Sequence, residues 1–455
     1  MSSAVASQPE SAPVPKVSQP RLTDDTLLAG ASTLLLLAPL AFGAVQPWST
    51  FALEACAALL LTGWAYLRWA NRDVNVFNHP LYLPMAAFMV LGLGQWFAGT
   101  TAYRHATYVH LLLYAAYGML LFVVSQTLRR SSQFLVMANA FTVYGGLVAA
   151  FAVLQSLASN GKLYWLWRPE QGGLIYGPYV NHNHYAGLME LLLPFPLVLA
   201  ATSLTSGNRK IVTGATAALM AGSIFLSGSR GGMLAFVAQM IVLAVLLLRK
   251  RQSGWKQPLM LGGFLAMVVV FLIWMGGAEL TQRLASIHAE AREEMNGGFR
   301  LTIDRDCLRM FMKRPMLGWG LGTFPITYPG FRSFYTNFFV NQAHNDYLQL
   351  LVETGLVGFS IAIWFLVVVF RQAAAKLQNW SETASGSLTV AAMLGCVGIM
   401  VHSFLDFNLQ IPANAALFYV LCGMAAAAPL QESKRRRVLR RRRVSAQASQ
   451  ETAAS

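Results

Sequence analysis

Charge is what this sequence has least of. Only 12% of its residues are Asp, Glu, Lys or Arg, where soluble globular chains carry about a quarter. That excludes a water-soluble enzyme of ordinary composition. Cysteine is sparse too. Cys56, Cys307, Cys396 and Cys422 form no CxxC pair, so neither a disulfide framework nor a zinc site is indicated. Acidic residues are fewer than basic ones, 19 against 34. The basic residues are not interleaved with aromatics, as a single-strand nucleic-acid binder would require. Their surplus reads instead as orientation by the positive-inside bias and contact with anionic lipid heads.

What is abundant is apolar sequence, 55% of the chain, gathered into long runs. They centre near residues 27–46, 50–68, 80–99, 108–127, 134–157, 185–204, 211–227, 231–248, 258–277, 356–371, 387–407 and 411–428. Each is close to the roughly 20 residues needed to cross a bilayer. The expected fold is an all-α polytopic membrane protein of about twelve transmembrane helices. Residues 1–25, rich in Ser, Pro, Ala and Gln, read as a disordered tail and not a signal peptide. Residues 26–430 read as the membrane domain, and 431–455 as a basic tail.

Alternate connectors are basic: Arg68 and Arg72; Arg129 and Arg130; Arg209 and Lys210; Arg249 to Arg251; Arg371 and Lys376; then the tail. An even number of spans with both termini inside puts all of them on one face. The other face then receives every polar motif with a chemical look. It holds the connector after Asn160, the SGSRGG turn, a large loop at about residues 279–353 between spans nine and ten, and DFNLQIPAN from Asp406. Cys307 falls on this outer side. In a bacterial inner membrane that side is the periplasm.

Phe299–Gly358 is the longest stretch that is neither apolar nor low in complexity. A helix is predicted over Leu301–Met312, with Leu301, Leu308, Phe311 and Met312 on one face and Arg305, Arg309 and Lys313 on another. Pro315, Gly318, Gly320 and Gly322 predict a turn-rich segment. A second helix is predicted from near His344 to Gly355.

Arg230 sits in a tight turn between two apolar runs. Its bland reading is a snorkelling arginine; its functional one is a fixed cation suited to phosphate, whose oxygens its fork binds bidentately. Arg300, Arg305 and Arg309 read as a solvated charge run or as cations at headgroup level. His344 at a helix start could serve as a general base, with Asp346 either orienting it or capping the helix. Asn181 and His184 read as polar lining. The two histidines of NHNH point apart on a helix, so no metal pair is read there. Arg309, Asn345, Asp346 and Asp406 are further lining candidates. Glu54 and Glu190 interrupt apolar runs without an evident partner, and the sequence does not decide whether His402, Asp406 and Asn408 form a helix cap or a cavity wall.

Taken together, NHNHYAGLMELLLP, LSGSRGGMLAF, FRLTIDRDCLRMFMKRPMLGWGLGTF and AHNDYLQLLVETGLVGF resemble the O-antigen ligase and O-antigen polymerase family of bacterial membrane glycosyltransferases, over about Tyr179–Asp406. The resemblance implies a C-type-glycosyltransferase-like fold. It implies transfer of a glycan from a polyprenyl-pyrophosphate carrier to an acceptor hydroxyl, on another glycan or on lipid A core, with no metal and no cofactor. It places the family's histidine on His344 and its arginines on Arg230 and Arg300, with Arg305 as rival. The amino-terminal spans match no motif. A flippase or transporter, a non-catalytic scaffold of envelope assembly, and a protein O-oligosaccharyltransferase within the enzyme class are the alternatives. A transporter would need polar residues through the bundle centre, whereas these charges cluster at the outer face.

Overall fold

The structure is a computed structural model, and it describes residues 23–73, 75–169, 174–249, 256–274, 299–336 and 339–430. The expected tails and the first part of the large outer loop lie outside the described residues. Within them, two isolated bridges aside, all regular structure is helical. In chain order the helices are α1 (Asp24–Leu40), α2 (Pro47–Ala70), α3 (Tyr82–Phe97), α4 (Arg104–Thr127), α5 (Ser131–Leu157), α6 (His182–Leu192), α7 (Pro194–Ala201), α8 (Asn208–Ser227), α9 (Arg230–Leu248) and α10 (Lys256–Trp274). There follow α11 (Phe299–Lys313), the short α12 (Phe324–Thr327), α13 (Asp346–Ala374), α14 (Ala384–His402) and α15 (Pro412–Ala426). All twelve apolar runs lie largely on helices, α6 and α7 together forming one of them.

Eight helices are long and apolar enough to cross a membrane, with three shorter apolar ones, Tyr82–Phe97, Leu261–Trp274 and Pro412–Ala426, beside them. The protein is a multi-pass membrane protein. Burial separates centre from rim: 89% of the His182–Ala201 span and 78% of α14 are buried, against 22% of α2. The outward faces keep large apolar side chains, among them Phe51, Leu59, Val143 and Ile241, each more than half exposed. A water-facing surface would not carry so many.

The bundle has two polar ends. At one, the α1 start is tied down by Arg130, which reaches both carboxylate oxygens of Asp25 at 2.7 and 2.8 Å, and by the Arg68–Asp24 pair. Lys376 at this end donates to the carbonyls of Ala425 and Ala427 at 2.6 and 2.7 Å, capping α15. Burial pulls its ammonium down to about 8. The other end gathers the α3–α4 turn, the α6 and α9 starts, the segment from Phe299 to Asn345, and the α14–α15 connector.

At that second end the turn-rich segment and the 352–357 stretch lock together. The amides of Trp319 and Gly320 donate to the carbonyls of Val352 and Glu353, and those of Leu356 and Val357 to Pro315 and Met316, at 2.8–3.2 Å. The buried Glu353 carboxylate accepts from the amides of Gly322 at 2.8 Å and Phe324 at 3.1 Å. Gln95 of α3 adds donors to Leu317 and Glu353 carbonyls. Thus the GWGLGTF and VETG phrases are a splint that fixes α11 against α13. The helix break predicted at Gly355 is a sharp one, with φ 64° and ψ −166°. A Cβ there would lie 2.3 Å from the Met316 carbonyl oxygen. Gly355→Ala should therefore destabilise by more than about 2 kcal/mol, from left-handed strain plus the clash. Thermal unfolding in detergent checks this, and an unshifted midpoint would mean the splint yields.

One side of α11 packs against the protein. Its buried face is Ile303, Asp306, Cys307 and Met310. Leu301, Leu308 and Met312 are 62%, 48% and 72% exposed instead. The helix has two apolar stripes, and the one richer in β-branched, small and sulfur-bearing residues is the one that packs on Phe324, Tyr328 and Val352. Cys307 is fully buried, so a thiol reagent cannot report which side it occupies.

Candidate functional site

His344 is not in a helical turn. It precedes the cap residue of α13, Asn345, whose side chain accepts from the amides of Tyr347 and Leu348 at 3.2 Å each. The chain passes through His344 in the left-handed region, at φ 54°. That is uncommon for a non-glycine residue. The side chain stays 30% exposed, and its Nδ1 is 3.5 Å from Oδ1 of Asp406. Phe407 meets the ring edge-on at a centroid distance of 4.8 Å.

Asp406 is buried and rigidly held. Its oxygens accept from the amide of Phe407 at 2.8 Å and from the side chain of Asn183 at the start of α6. Burial alone would raise its carboxyl. The nearby His344 ring and the positive potential of His184 and His402 outweigh that and hold it well below the usual carboxylate range. The carboxylate beside His344 is therefore ionised.

Asp346 does neither job suggested for it. It is buried, and its carboxylate takes the Ser403 hydroxyl at 2.8 Å, the Leu409 amide at 3.1 Å and the Gln410 amide group at 3.4 Å. It fastens the start of α13 to the α14–α15 connector, and so sets Asp406 relative to His344. Asn345 is the cap of α13.

The arginines separate by angle around α11. Arg300 and Asp304 lie one turn apart on the same side. Arg300 donates from Nη1 to the carbonyl of Leu405 at 3.0 Å, next to Asp406. Burial raises the Asp304 carboxyl, and the charges of Arg300 and His344 act on it in the opposite sense. Arg305 is rotated about 140° from Arg300 at 3.6 residues per turn. It is exposed beside Leu301 and Met312. Arg309 is exposed as well and pairs with buried Asp306 at 3.2 Å. Of the three, Arg300 is the one turned toward the histidine. Arg230 is the first residue of α9, where the Ser229 hydroxyl accepts from the Gly232 amide at 3.1 Å and caps the helix.

The NHNH segment contributes differently from the reading above. Asn181 is the α6 cap, accepting from the Asn183 amide at 2.9 Å. His184 is buried against Phe407, with ring centroids 4.7 Å apart. Asn183, which nothing in the sequence singled out from its neighbours, is the residue that touches Asp406. His182, at the first position of α6, lies within the field of Asp406, Arg300 and His402. Glu190 does have a partner, His402, 2.8 Å away. Glu54, on peripheral α2, gains none in its own hydrogen bonding: its Oε1 is an orphan. Among the described residues no group of three or more His, Cys, Asp or Glu side chains has metal-holding proximity.

The cluster thus joins the His344 imidazole and the Asp406 carboxylate with Arg300, drawn from three separate elements. That set can take a proton and bind an anion. No curated protein matches the chain. Residues 215–363, about a third of the chain, match the family model described as O-antigen ligase, from within α8 through α9 and α11 and into α13. These helices carry Arg230 and Arg300, and the stretch includes His344; over these residues the chain is similar to the O-antigen ligase family.

Proposed function

We propose that the protein transfers a glycan from a polyprenyl-pyrophosphate carrier to an acceptor hydroxyl, at the membrane face where its polar motifs gather. The observation that carries the reading is the meeting of His344, Asp406 and Arg300 at one end of a membrane bundle, with Arg230 starting α9 one residue before the Gly231 that His402 packs on. In this reading the acceptor oxygen attacks the anomeric carbon as His344 takes its proton. Asp406 holds the imidazole and stabilises the imidazolium that forms. The bond to pyrophosphate breaks with its electron pair going to the phosphate oxygen, and Arg230 and Arg300 balance the charge that builds there. One displacement of this kind inverts the anomeric centre.

A groove beside the cluster supports a lipid-borne donor. It lies between α3, α13 and α15. Its walls are apolar, with Phe88, Phe359, Phe365 and Phe418 among them, and its polar end is Asp346 and Gln410. An isoprenoid chain fits such walls, and its headgroup would then emerge near His344.

The test is product formation by purified protein given a lipid-linked glycan, with lipid A core, a second glycan or a protein as acceptor. Glycan on lipid A core would mark a ligase, on a second glycan a polymerase, and on protein an O-oligosaccharyltransferase. No transfer to any acceptor would sink the enzyme reading. Because arginines do the charge work here, transfer should survive excess EDTA. Loss on chelation, restored by one divalent ion, would redirect the search to Asp304 and Asp346.

Orientation is tested separately. If the site is periplasmic in a bacterial inner membrane, a reporter fused after residue 430 should behave as cytoplasmic, because Arg68, Arg130 and Lys376 share that end of the bundle. A periplasmic signal from the same fusion would put the site on the wrong face.

A further inference from the structure

Behind the outer loops two ionisable side chains face each other out of solvent. Glu190, well inside α6, and His402, the last residue of α14, are both fully buried. Glu190 Oε1 and His402 Nδ1 are 2.8 Å apart. A pair of this kind is expensive to bury, and apolar residues of equal volume would make as good a core. Two atoms of the pair, Glu190 Oε2 and His402 Nε2, are buried without a hydrogen-bond partner. The pair is thus built for something beyond packing.

Where Nε2 points is the informative part. A Cβ placed on Gly231 would lie 2.5 Å from His402 Nε2 and 2.3 Å from Cδ2. The imidazole edge rests on the first turn of α9, one residue after Arg230, and only glycine leaves room for it. That turn is the positive end of a 19-residue helix capped by Ser229. Its leading amides and its dipole favour an anion. Around His402 stand Glu190, His182 and His184 from α6, Gly231 from α9, Asp346 from α13 and Asp406 from the connector.

We propose that Glu190 and His402 are a positioning pair for the anionic donor: Glu190 fixes the His402 ring, and the ring sets the first α9 turn that presents Arg230 and its leading amides to the donor phosphates. This rests on Arg230 meeting those phosphates, as proposed above. The pair acts through the turn and makes no bond to substrate. It resembles a supporting layer behind a ligand, where loss of an orienting partner weakens the ligand contact without removing it.

The probe is farnesyl pyrophosphate binding to the purified full-length protein, with farnesol as the phosphate-free control and thermal unfolding run on every variant. Glu190→Leu and Gly231→Ala should each weaken farnesyl pyrophosphate binding by about 10-fold, the usual size for a supporting contact, and leave farnesol unchanged. Glu190→Gln keeps an acceptor for Nδ1 and should bind as the parent does. Gly231→Ala combined with His402→Ala should bind no worse than His402→Ala alone, because the removed ring makes room for the new methyl. In the transfer assay the same variants should raise the donor KM and leave kcat at saturating donor near the parental value. If Glu190→Leu and Gly231→Ala unfold at lower temperature yet bind farnesyl pyrophosphate like the parent, the pair is merely structural and the inference fails. That result differs from failure of the donor reading, in which the parent itself would bind farnesyl pyrophosphate no better than farnesol and Arg230→Ala would change nothing.

Discussion

His344→Ala should lower the rate of glycan transfer by about 10²–10⁴-fold, the usual share of a general base. Binding of the lipid-linked donor should barely change, because Arg230 and Arg300 remain. The split follows from the geometry. His344 is the partly exposed imidazole of the cluster, held at Nδ1 by an ionised carboxylate 3.5 Å away. Asp406→Asn keeps the size of that partner and removes its charge. It should lower kcat in the same direction and by less, and leave the donor KM alone. Single-turnover transfer and donor binding, measured on both variants, make the comparison. If His344→Ala transfers at the parental rate, the base lies elsewhere, and the transporter or scaffold reading regains ground.

Arg230→Ala and Arg300→Ala should act differently, weakening donor binding and slowing transfer together. The same cations would meet the pyrophosphate in the ground state and the charge that grows on it as the glycan departs. Loss of one such group should cost about 10²–10³ in kcat/KM. Lysine at either position should rescue only in part, since a point charge cannot reproduce the bidentate fork. Arg305→Ala is the control. Its side chain is exposed on a different side of α11 from Arg300, so its effect should be small. An Arg305→Ala loss as large as that of Arg300→Ala would show that α11 turns on its axis when donor binds.

Most of what is local was legible. The apolar runs lie on the helices because a segment that must satisfy its own backbone in lipid has little choice but to coil. Pro315 and the glycines after it announced a turn, and Gly318, Gly320 and Gly322 all take positive φ. Gly355 announced a helix break and makes one. Which α11 stripe packs was not legible, because a helix with apolar residues on two sides does not say which side meets the protein. Only the neighbours Phe324 and Tyr328 decide that.

The sequence by itself determined the membrane class, the positions of the helices, the alternation of basic connectors and the family likeness, with His344 and Arg230 among its marked residues. These rest on periodicity, composition and short motifs, which are properties of neighbours along the chain. Tertiary structure alone decided which carboxylate serves His344, Asp406 and not the adjacent Asp346. It alone turned Arg300 toward the cluster and Arg305 away, brought Asn183 onto Asp406, and found in His402 the partner that Glu190 lacked. Those contacts join residues as much as 223 and 212 positions apart. Nothing in one sequence encodes a separation of that length. It is set by how whole helices pack, and packing is where side chains distant in the chain acquire a common electrostatic environment.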